Sequence, residues 1–389
     1  MSAVEYRFIE PLDVLFLRGN KLFGDPGSYG ELLMPPWPSV AAGALRSRML
    51  ADDGVDLAAF GRGDVPHRTL GTPTKPGAFA VTAFYLARRD INDKVEVLMA
   101  QPADLVINED EEGKLVSIRA LKPTRPSGGL LASSPFVLLP VLAENKRGKP
   151  AGGYWLTEPG WRKYLAGKVL HADDLVKSGA LWDIDPRVGV GLDATTRRAA
   201  DGRLFSVQAV ALKKREQTAQ NGFDVGFLAA VTGAEPPGNG MLRLGGDGRA
   251  AVIHTVEVRL PEPGYAVLAA AKRCRLVLAS PGIFPDGWLP TGVTRATNGE
   301  FCFDLHGVRG KLVCAAIHRA EVVSGWDLAN WQPKPAKRAT PTGSVYWLED
   351  LETTPEGLRK LAEQGLWRES CEDASRRAEG FNRITFATY

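Results

Sequence analysis

The stretch "MPPWPSVAAGALRSRML" (residues 34–50) sets prolines at 35, 36 and 38 and then runs straight into small and apolar residues. A residue before proline is pushed out of the helical region, so the first few positions are held extended. Ser39 is expected to cap the N–H groups that follow, and "VAAGALRSRML" supplies helix formers. Val40, Ala44 and Leu45 fall on one face of that helix, while Arg46 and Arg48 lie on flanks that a core cannot use. Gly43 costs about 1 kcal/mol against alanine in mid-helix, which suits a position that another backbone approaches closely.

Outward from this helix, extended segments dominate. "VEYRFIEPLDVLFLRG" (4–19) reads as a strand, a break at Pro-Leu-Asp and a second extended piece. "AFAVTAFYLARR", "DKVEVLMAQPADLVI" and the segment after the acidic turn "NEDEEG" are further strands. "TEPGWRKYLAG" (157–167) is a short helix. Residues 185–215 alternate on both sides of an Arg-rich centre, which predicts a long hairpin with a basic tip. "FDVGFLAAVTG" is a buried strand, and "GNGMLRLGGDGRAAVIHTVEV" is two strands around a glycine-rich loop. "YAVLAAAKRCRLVLAS" reads as a strand, and two more follow in "GKLVCAAIHRAEVVSGWDL" and "GSVYWLED". "TTPEGLRKLAEQG" is a helix capped at Thr353 or, given Pro355, at Thr354. "GFNRITFATY" closes as a strand. The order strand, strand, helix, strand is compatible with a split βαβ arrangement, and the fold class expected is α+β.

The chain of 389 residues is long enough for two modest domains or one with large insertions. Its 42 glycines and 27 prolines point to many loops, not to a helical bundle. A net charge of +3 allows a nucleic-acid partner through a local basic face without demanding one. The N-terminus lacks the apolar core of a signal peptide, no apolar run reaches membrane-spanning length, and Cys274, Cys302, Cys314 and Cys371 form no secretory framework. A reduced cytoplasmic protein with no membrane partner is expected.

Catalytic signatures are missing: no G-x-S-x-G, H-E-x-x-H, G-x-x-x-x-G-K-[ST] or G-x-G-x-x-G beside a first strand. No cofactor is implied. Cys302, His306, Cys314 and His318 have the look of two halves of a zinc site, but the spacing is no familiar finger and "LVCAAIH" reads as a core strand. Both readings stay open, with the core reading preferred. The basic residues are more suggestive. Arg197, Arg198 and Arg203 surround the hairpin tip, with Lys213, Lys214 and Arg215 on its return. Arg243 and Arg249 flank Gly245-Gly246-Asp247-Gly248, where bare backbone can approach phosphate. Lys334, Lys337 and Arg338 make a third cluster. Singly each is an ordinary solvated loop; together they point to a polyanion site.

The segments "EPLDVLFLRGNKLFG", "PPWPSVAAGALRS", "RVGVGLDATTRRAADGRLFS", "LGGDGRAA", "VSGWDL", "PTGSVYWLE" and "EGFNRITFATY", in that order from Pro11 to Phe381, resemble one CRISPR family. It is the family of third subunits of the type III-B (Cmr) RNA-guided effector complex, within the RAMP superfamily. The resemblance implies two ferredoxin-like (RRM-like) folds, 1–260 with loop and β-hairpin insertions and 261–389. It implies a subunit without nuclease activity that grips the repeat-derived 5′ tag of the crRNA. Its other partners would be the large palm-domain signature subunit and the repeated backbone subunit. Carried onto this sequence, Gly245, Gly246, Gly248 and Arg249 would contact RNA backbone with Arg243, and the hairpin would lie where tag meets spacer. Ala194, Ala199 and Ala200 are too small for a large apolar wedge at its tip. Arg18, Lys21 and Arg46 are further phosphate candidates. Phe23, Tyr29 and Trp37 are stacking candidates for which core burial is the preferred reading. Two rivals stand beside this reading: a RAMP endoribonuclease using His254, and a protein-only adaptor.

Overall fold

The structure, a computed structural model, describes residues 3–17, 29–30, 33–127, 132–144, 148–193, 195–216, 222–327, 332–371 and 373–389. In chain order the first part contributes β1 (Glu5–Pro11), α1 (Pro38–Asp52), α2 (Leu57–Arg62), β2 (Ala80–Arg89), β3 (Val95–Ala100), β4 (Tyr154–Leu156) and α3 (Glu158–Leu165). It continues with β5 (Leu175–Lys177), β6 (Trp182–Leu192), β7 (Ala199–Leu212), β8 (Asp224–Thr232), β9 (Asn239–Arg243) and β10 (Ala250–Thr255). The last third holds α4 (Tyr265–Ala271), β11 (Cys274–Leu278), β12 (Val293–Arg295), β13 (Phe301–Leu305), β14 (Val308–Ala316) and β15 (Val345–Glu352), then α5 (Pro355–Gln364), α6 (Ala374–Glu379) and β16 (Ile384–Ala387).

Apart from β6 and β7, which pair with each other, these strands form two main antiparallel sheets. The first runs β5-β4-β3-β2-β8-β1-β10-β9, the second β12-β13-β14-β15-β11-β16. In the first, β8 lies between β1 and β2 and is antiparallel to both, so β1 and β2 run parallel with α1 carrying the crossover. In the second, β11 lies likewise between β15 and β16, and α5 and α6 make that crossover. The architecture is α+β.

Side-chain alternation turns the sheets into four layers. Ile9, Leu86, Phe227 and Ile253 face Ala41, Ala42, Leu45 and Met49 of α1. One residue out of phase, Phe8, Val97 and Leu228 face the opposite way and pack with Val277, Cys314 and Trp347 of the second sheet. The far side of that sheet, through Leu276, Tyr346 and Phe386, is covered by Leu268, Leu358 and Leu361 of α4 and α5. The two sheets therefore share a core. Among the described residues no helix is long and apolar enough to cross a membrane.

The proline stretch is where the two halves are pinned together. Pro38 occupies the first helical turn, Trp37 is the N-cap, and no side chain caps the N-terminus. This corrects the role expected of Ser39: proline at the first position sacrifices an N–H that would be orphaned anyway, and moves Ser39 inside the helix. Trp37 is buried with Val323, Ala339, Trp367 and Phe381, all from the last third of the chain. Gly43 faces open space, with nothing within 4 Å of a Cβ built on it, so no backbone approaches it and its expected packing role falls away. The segment "YAVLAAA" is helix α4, not strand; only the apolar run after Lys272 enters the sheet. At α5 the cap is Thr354, whose hydroxyl accepts from Gly357 N at 3.1 Å.

The terminal "GFNRITF" is read by its contacts. Gly380 ends α6 in the left-handed region (φ 96°), with the site of a Cβ 3.0 Å from Val81 O and 3.3 Å from Pro38 Cβ. Asn382 accepts from Ile283 N at 2.6 Å and donates to Leu366 O at 3.1 Å. Arg383 reaches Glu363 O at 2.7 Å and Val81 O at 3.3 Å. Burial lowers its pKa to about 10.

Candidate nucleic-acid interface

The glycine-rich turn joins β9 to β10 at the end of the first sheet. It closes through Leu244 N to Arg249 O at 2.8 Å, while Gly246 N donates to Phe16 O at 2.9 Å. Gly245 (φ 76°) and Gly248 (φ 64°) hold left-handed conformations that need glycine. A Cβ on Gly245 would stand 3.0 Å from the carbonyl oxygen of Phe16. Arg243 is exposed and makes no ion pair among the described residues. Arg249 stacks over the Phe16 ring at 4.8 Å and donates to Asp13 at 2.8 Å.

The hairpin grows from the same place. Leu15 and Val210 exchange backbone hydrogen bonds of 2.8 and 2.9 Å, and Val14 and Phe16 pack on Ala209, Val207 and Ala211 of β7. Residues 13–17 thus tie the glycine-rich turn to the base of β7. The Phe16 ring also carries Arg187 of β6, at 6.0 Å. In the β6–β7 ladder Arg187 opposes Val207 and Gly189 opposes Phe205, so these side chains share a face. A Cβ on Gly189 would lie 2.4 Å from the Phe205 ring, and one on Gly191 2.9 Å from Arg203. The two glycines leave room for Phe205 and the stem of Arg203 to lie flat on the hairpin.

At the tip, Asp193 accepts from Thr195 N and Thr196 N, and these bonds, with Thr196 first, hold its carboxyl below the ordinary value. Arg197 and Arg198 are exposed there, and with Arg203 they make no ion pair among the described residues. The result is a track of alternating guanidinium and aromatic groups, Arg249, Phe16, Arg187, Phe205 and Arg203, that leads out to the tip. The opposite face is apolar: Ile184, Val188, Val190 and Leu204 are each at least 45% exposed. The tip alanines suggested no apolar wedge; the exposed apolar groups lie further down the strands.

Within the track Arg187 is itself paired with Asp185, at 2.8 Å, and other basic residues are engaged elsewhere. Lys214 pairs with Glu10 at 3.5 Å, Arg215 with Asp224 at 3.3 Å, and Lys213 with Asp183. Lys334 meets Glu379 and Lys337 meets Asp373, which leaves Arg338 as the exposed member of the third cluster. Arg46 is not on an unused flank: its guanidinium lies over Phe79 at 5.1 Å and burial lowers its pKa, with Glu379 opposing. Arg48 donates to Met241 O and to Asp52, closing the outer edge of β9. Arg18, Lys21, Phe23 and Ala194, and the side chain of Tyr29, lie outside the described residues. Cys314 and His306 are apart, in the shared core and in a hairpin turn on Trp367 O; Cys302 faces Lys311 across the ladder and His318 is exposed. No cluster of metal-ligating groups forms among the described residues. His254 sits within β10 opposite Phe8 and Asn239, with Glu10 at 3.9 Å.

Sequence reasoning missed Asp13, Phe16, Arg187 and Phe205. "DVLFLRG" reads as a plain extended run, with nothing to show what crosses it. The alternating glycines of "RVGVG" were the available signal, because a strand rarely gives up alternate side chains unless a neighbour fills the space.

The site is chemically suited to an extended polyanion. Residues 7–387 match the family model described as CRISPR-associated protein (Cas_Cmr3), and the chain belongs to that family, as a Cmr-type CRISPR subunit. Solved structures similar to it include "Cryo-EM structure of the Type III-B Cmr-beta bound to cognate target RNA and AMPPnP, state 1", at 12% identity and TM-score 0.49 over 98% of this chain and 99% of that one. Another, "Cryo-EM structure of the Type III-B Cmr-beta bound to cognate target RNA", has 14% identity and TM-score 0.46 over 88% and 86%. A curated protein, the tRNA modification GTPase MnmE of Novosphingobium aromaticivorans, is 37% identical over 100 residues, 24% of this chain and 21% of that protein. The chain thus spans about a fifth of that relative's length, and it lacks a G-x-x-x-x-G-K-[ST] loop.

Proposed function

We propose that this chain is the third, non-catalytic subunit of a type III-B CRISPR effector complex, gripping the repeat-derived 5′ tag of the crRNA. The observation that carries this reading is the track from Arg249 through Phe16, Arg187 and Phe205 to Arg203 and the tip arginines. Arginine binds phosphate bidentately and the exposed Phe205 ring offers a face to an unpaired base, while the buried Phe16 seats Arg249 and Arg187 beneath them. The apolar face of the hairpin is available to a neighbouring subunit, in keeping with a role in joining the palm-domain subunit to the backbone. Each sheet contains four strands in the order fourth, first, third, second (β10-β1-β8-β2 and β16-β11-β15-β14), which supports the two ferredoxin-like halves. The placement of His254 within strand β10, paired across the ladder with Phe8 and Asn239 and away from the glycine-rich turn, favours a binding role over cleavage.

The test is a salt titration of binding to guide RNA with a native or a scrambled 5′ tag, with the protein alone and with its palm-domain partner. A preference for the native tag, lost in Arg249→Glu, supports the reading. Equal, weak and strongly salt-dependent binding of both RNAs overturns tag recognition.

A further inference from the structure

The second sheet carries a cleft of about 650 Å³, in the size range of small-ligand sites, to which no residue of the arginine track contributes. One wall is aromatic: Phe136 and Trp288 meet edge to face with centroids 5.5 Å apart. Both residues are anchored. Phe136 rests on Phe301 at 5.1 Å, and Tyr346 Oη donates to the Trp288 carbonyl at 2.6 Å. Ile317 continues the apolar surface beyond the end of β14. The rim is charged. Arg319 and Arg338, with His318 beside them, are exposed, and so is Asp286. Among the described residues none of these groups makes an ion pair, either with another or elsewhere. The nearby lysines Lys334 and Lys337 are both matched by carboxylates, so the unmatched rim stands out within this half.

We propose that this cleft binds a guanine nucleotide, either free or as an unpaired guanosine of an RNA. The proposal goes beyond backbone gripping by the hairpin and does not depend on it. Three features call for three parts of one ligand. The aromatic wall takes a base, and the arginines take a phosphate in bidentate fashion. An ionised carboxylate only accepts hydrogen bonds, and guanine offers it two adjacent donors, N1–H and the 2-amino group. Adenine sets a ring acceptor beside its amino group, and uracil flanks its N3–H with carbonyls, so Asp286 disfavours both. An acidic peptide would satisfy the arginines but would set its carboxylates against Asp286.

The test is calorimetric titration of the full chain with GMP, AMP, UMP and inorganic phosphate. GMP is expected to bind at least about tenfold more tightly than AMP, an ordinary margin for a lost paired donor. Asp286→Asn should level GMP with AMP, and Arg338→Ala should weaken both alike. Both residues are exposed, so the substitutions keep the fold, with an unchanged thermal midpoint as control. A uridine tract with one central guanosine distinguishes the sources. Tight binding of GMP assigns a free nucleotide, and binding of the RNA alone assigns an unpaired residue. The proposal is overturned if neither binds better than phosphate, if guanine preference survives in Asp286→Asn, or if an oligoglutamate peptide outcompetes both.

Discussion

Arg275 Nη1 meets Asp104 Oδ2 at 2.6 Å with both side chains closed off from solvent, one from β11 of the second sheet and the other from the loop after β3 of the first. Tyr164 of α3 donates to the other carboxylate oxygen at 2.8 Å, and Arg275 Nη2 donates to Thr388 O and to Tyr164 O. Burial, with Asp104 reinforcing and Arg275 opposing, holds the Tyr164 phenol above its ordinary pKa, so it remains a donor. Removing one partner strands a buried charge. Asp104→Ala should therefore cost about 3–5 kcal/mol in urea unfolding and Tyr164→Phe about 1 kcal/mol. The double replacement Asp104→Leu with Arg275→Met should cost less than Asp104→Ala alone. If it costs the sum of the two single changes, the pair does not act as a unit.

The glycine-rich turn separates two kinds of cost. Gly245→Ala and Gly248→Ala both place a side chain in the left-handed region, at about 1 kcal/mol each. Only Gly245→Ala also presses on Phe16 O, whereas the nearest atom to a Cβ at 248 is Arg243 Cδ at 4.0 Å. Thermal unfolding should show the larger loss in Gly245→Ala, and RNA binding should fall more as well, because the shift is passed to the Phe16 ring. Equal effects of the two would count against a mechanical link between turn and hairpin base.

Asp13 holds Arg249 where a phosphate would be held. Both are partly exposed, so Asp13→Ala should change stability by less than about 1 kcal/mol. RNA affinity should rise several-fold, since a competing carboxylate has gone. Arg197→Ala and Arg198→Ala should each reduce the slope of log K against log salt by about 1. An affinity that falls in Asp13→Ala would mean the aspartate positions Arg249 for its ligand.

His254 is held below the ordinary histidine pKa, first by burial and then by the Arg89 cation, against Glu10 and Asp93. Near pH 6 the folded state therefore binds fewer protons here than the unfolded chain. The contribution to stability is full above the unfolded value of about 6.5 and is lost as pH falls through the lower folded value. Across pH 7.5 to 5 the melting temperature of the wild type should fall more than that of His254→Asn. Parallel curves would remove His254 from the pH dependence.

The strands were legible because two-residue alternation and glycine or proline punctuation are local signals, and they placed the hairpin and the glycine-rich turn. Two readings failed, for different reasons. "YAVLAAA" has the apolar content of a strand, but four alanines and a leucine favour helix, and its Leu268 packs with Leu358 and Leu361 of α5. Lys213, Lys334 and Lys337 looked like free cations because their carboxylate partners lie 30 to 45 residues away in the chain. The charge that matters at a surface is what remains after tertiary pairing. Phe16 was invisible for the same reason: its role depends on Arg187 and Arg249, far along the sequence. The proline stretch was read correctly as a sharp turn into helix. What Trp37 holds could not be read, because Trp367 and Phe381 arrive only with the end of the fold.

That last contact sets a schedule for synthesis. The helix that covers the first sheet starts at Pro38, yet its first turn is finished by Gly380, and Arg383 closes on Val81. On the ribosome, this layer must wait, its tryptophan uncovered, until the segment 367–383 has emerged. A chain stalled or cut before that segment would then present Trp37 and the apolar side of β1 and β2 to whatever clears unfinished proteins, so a loss late in the sequence would be detected early in it.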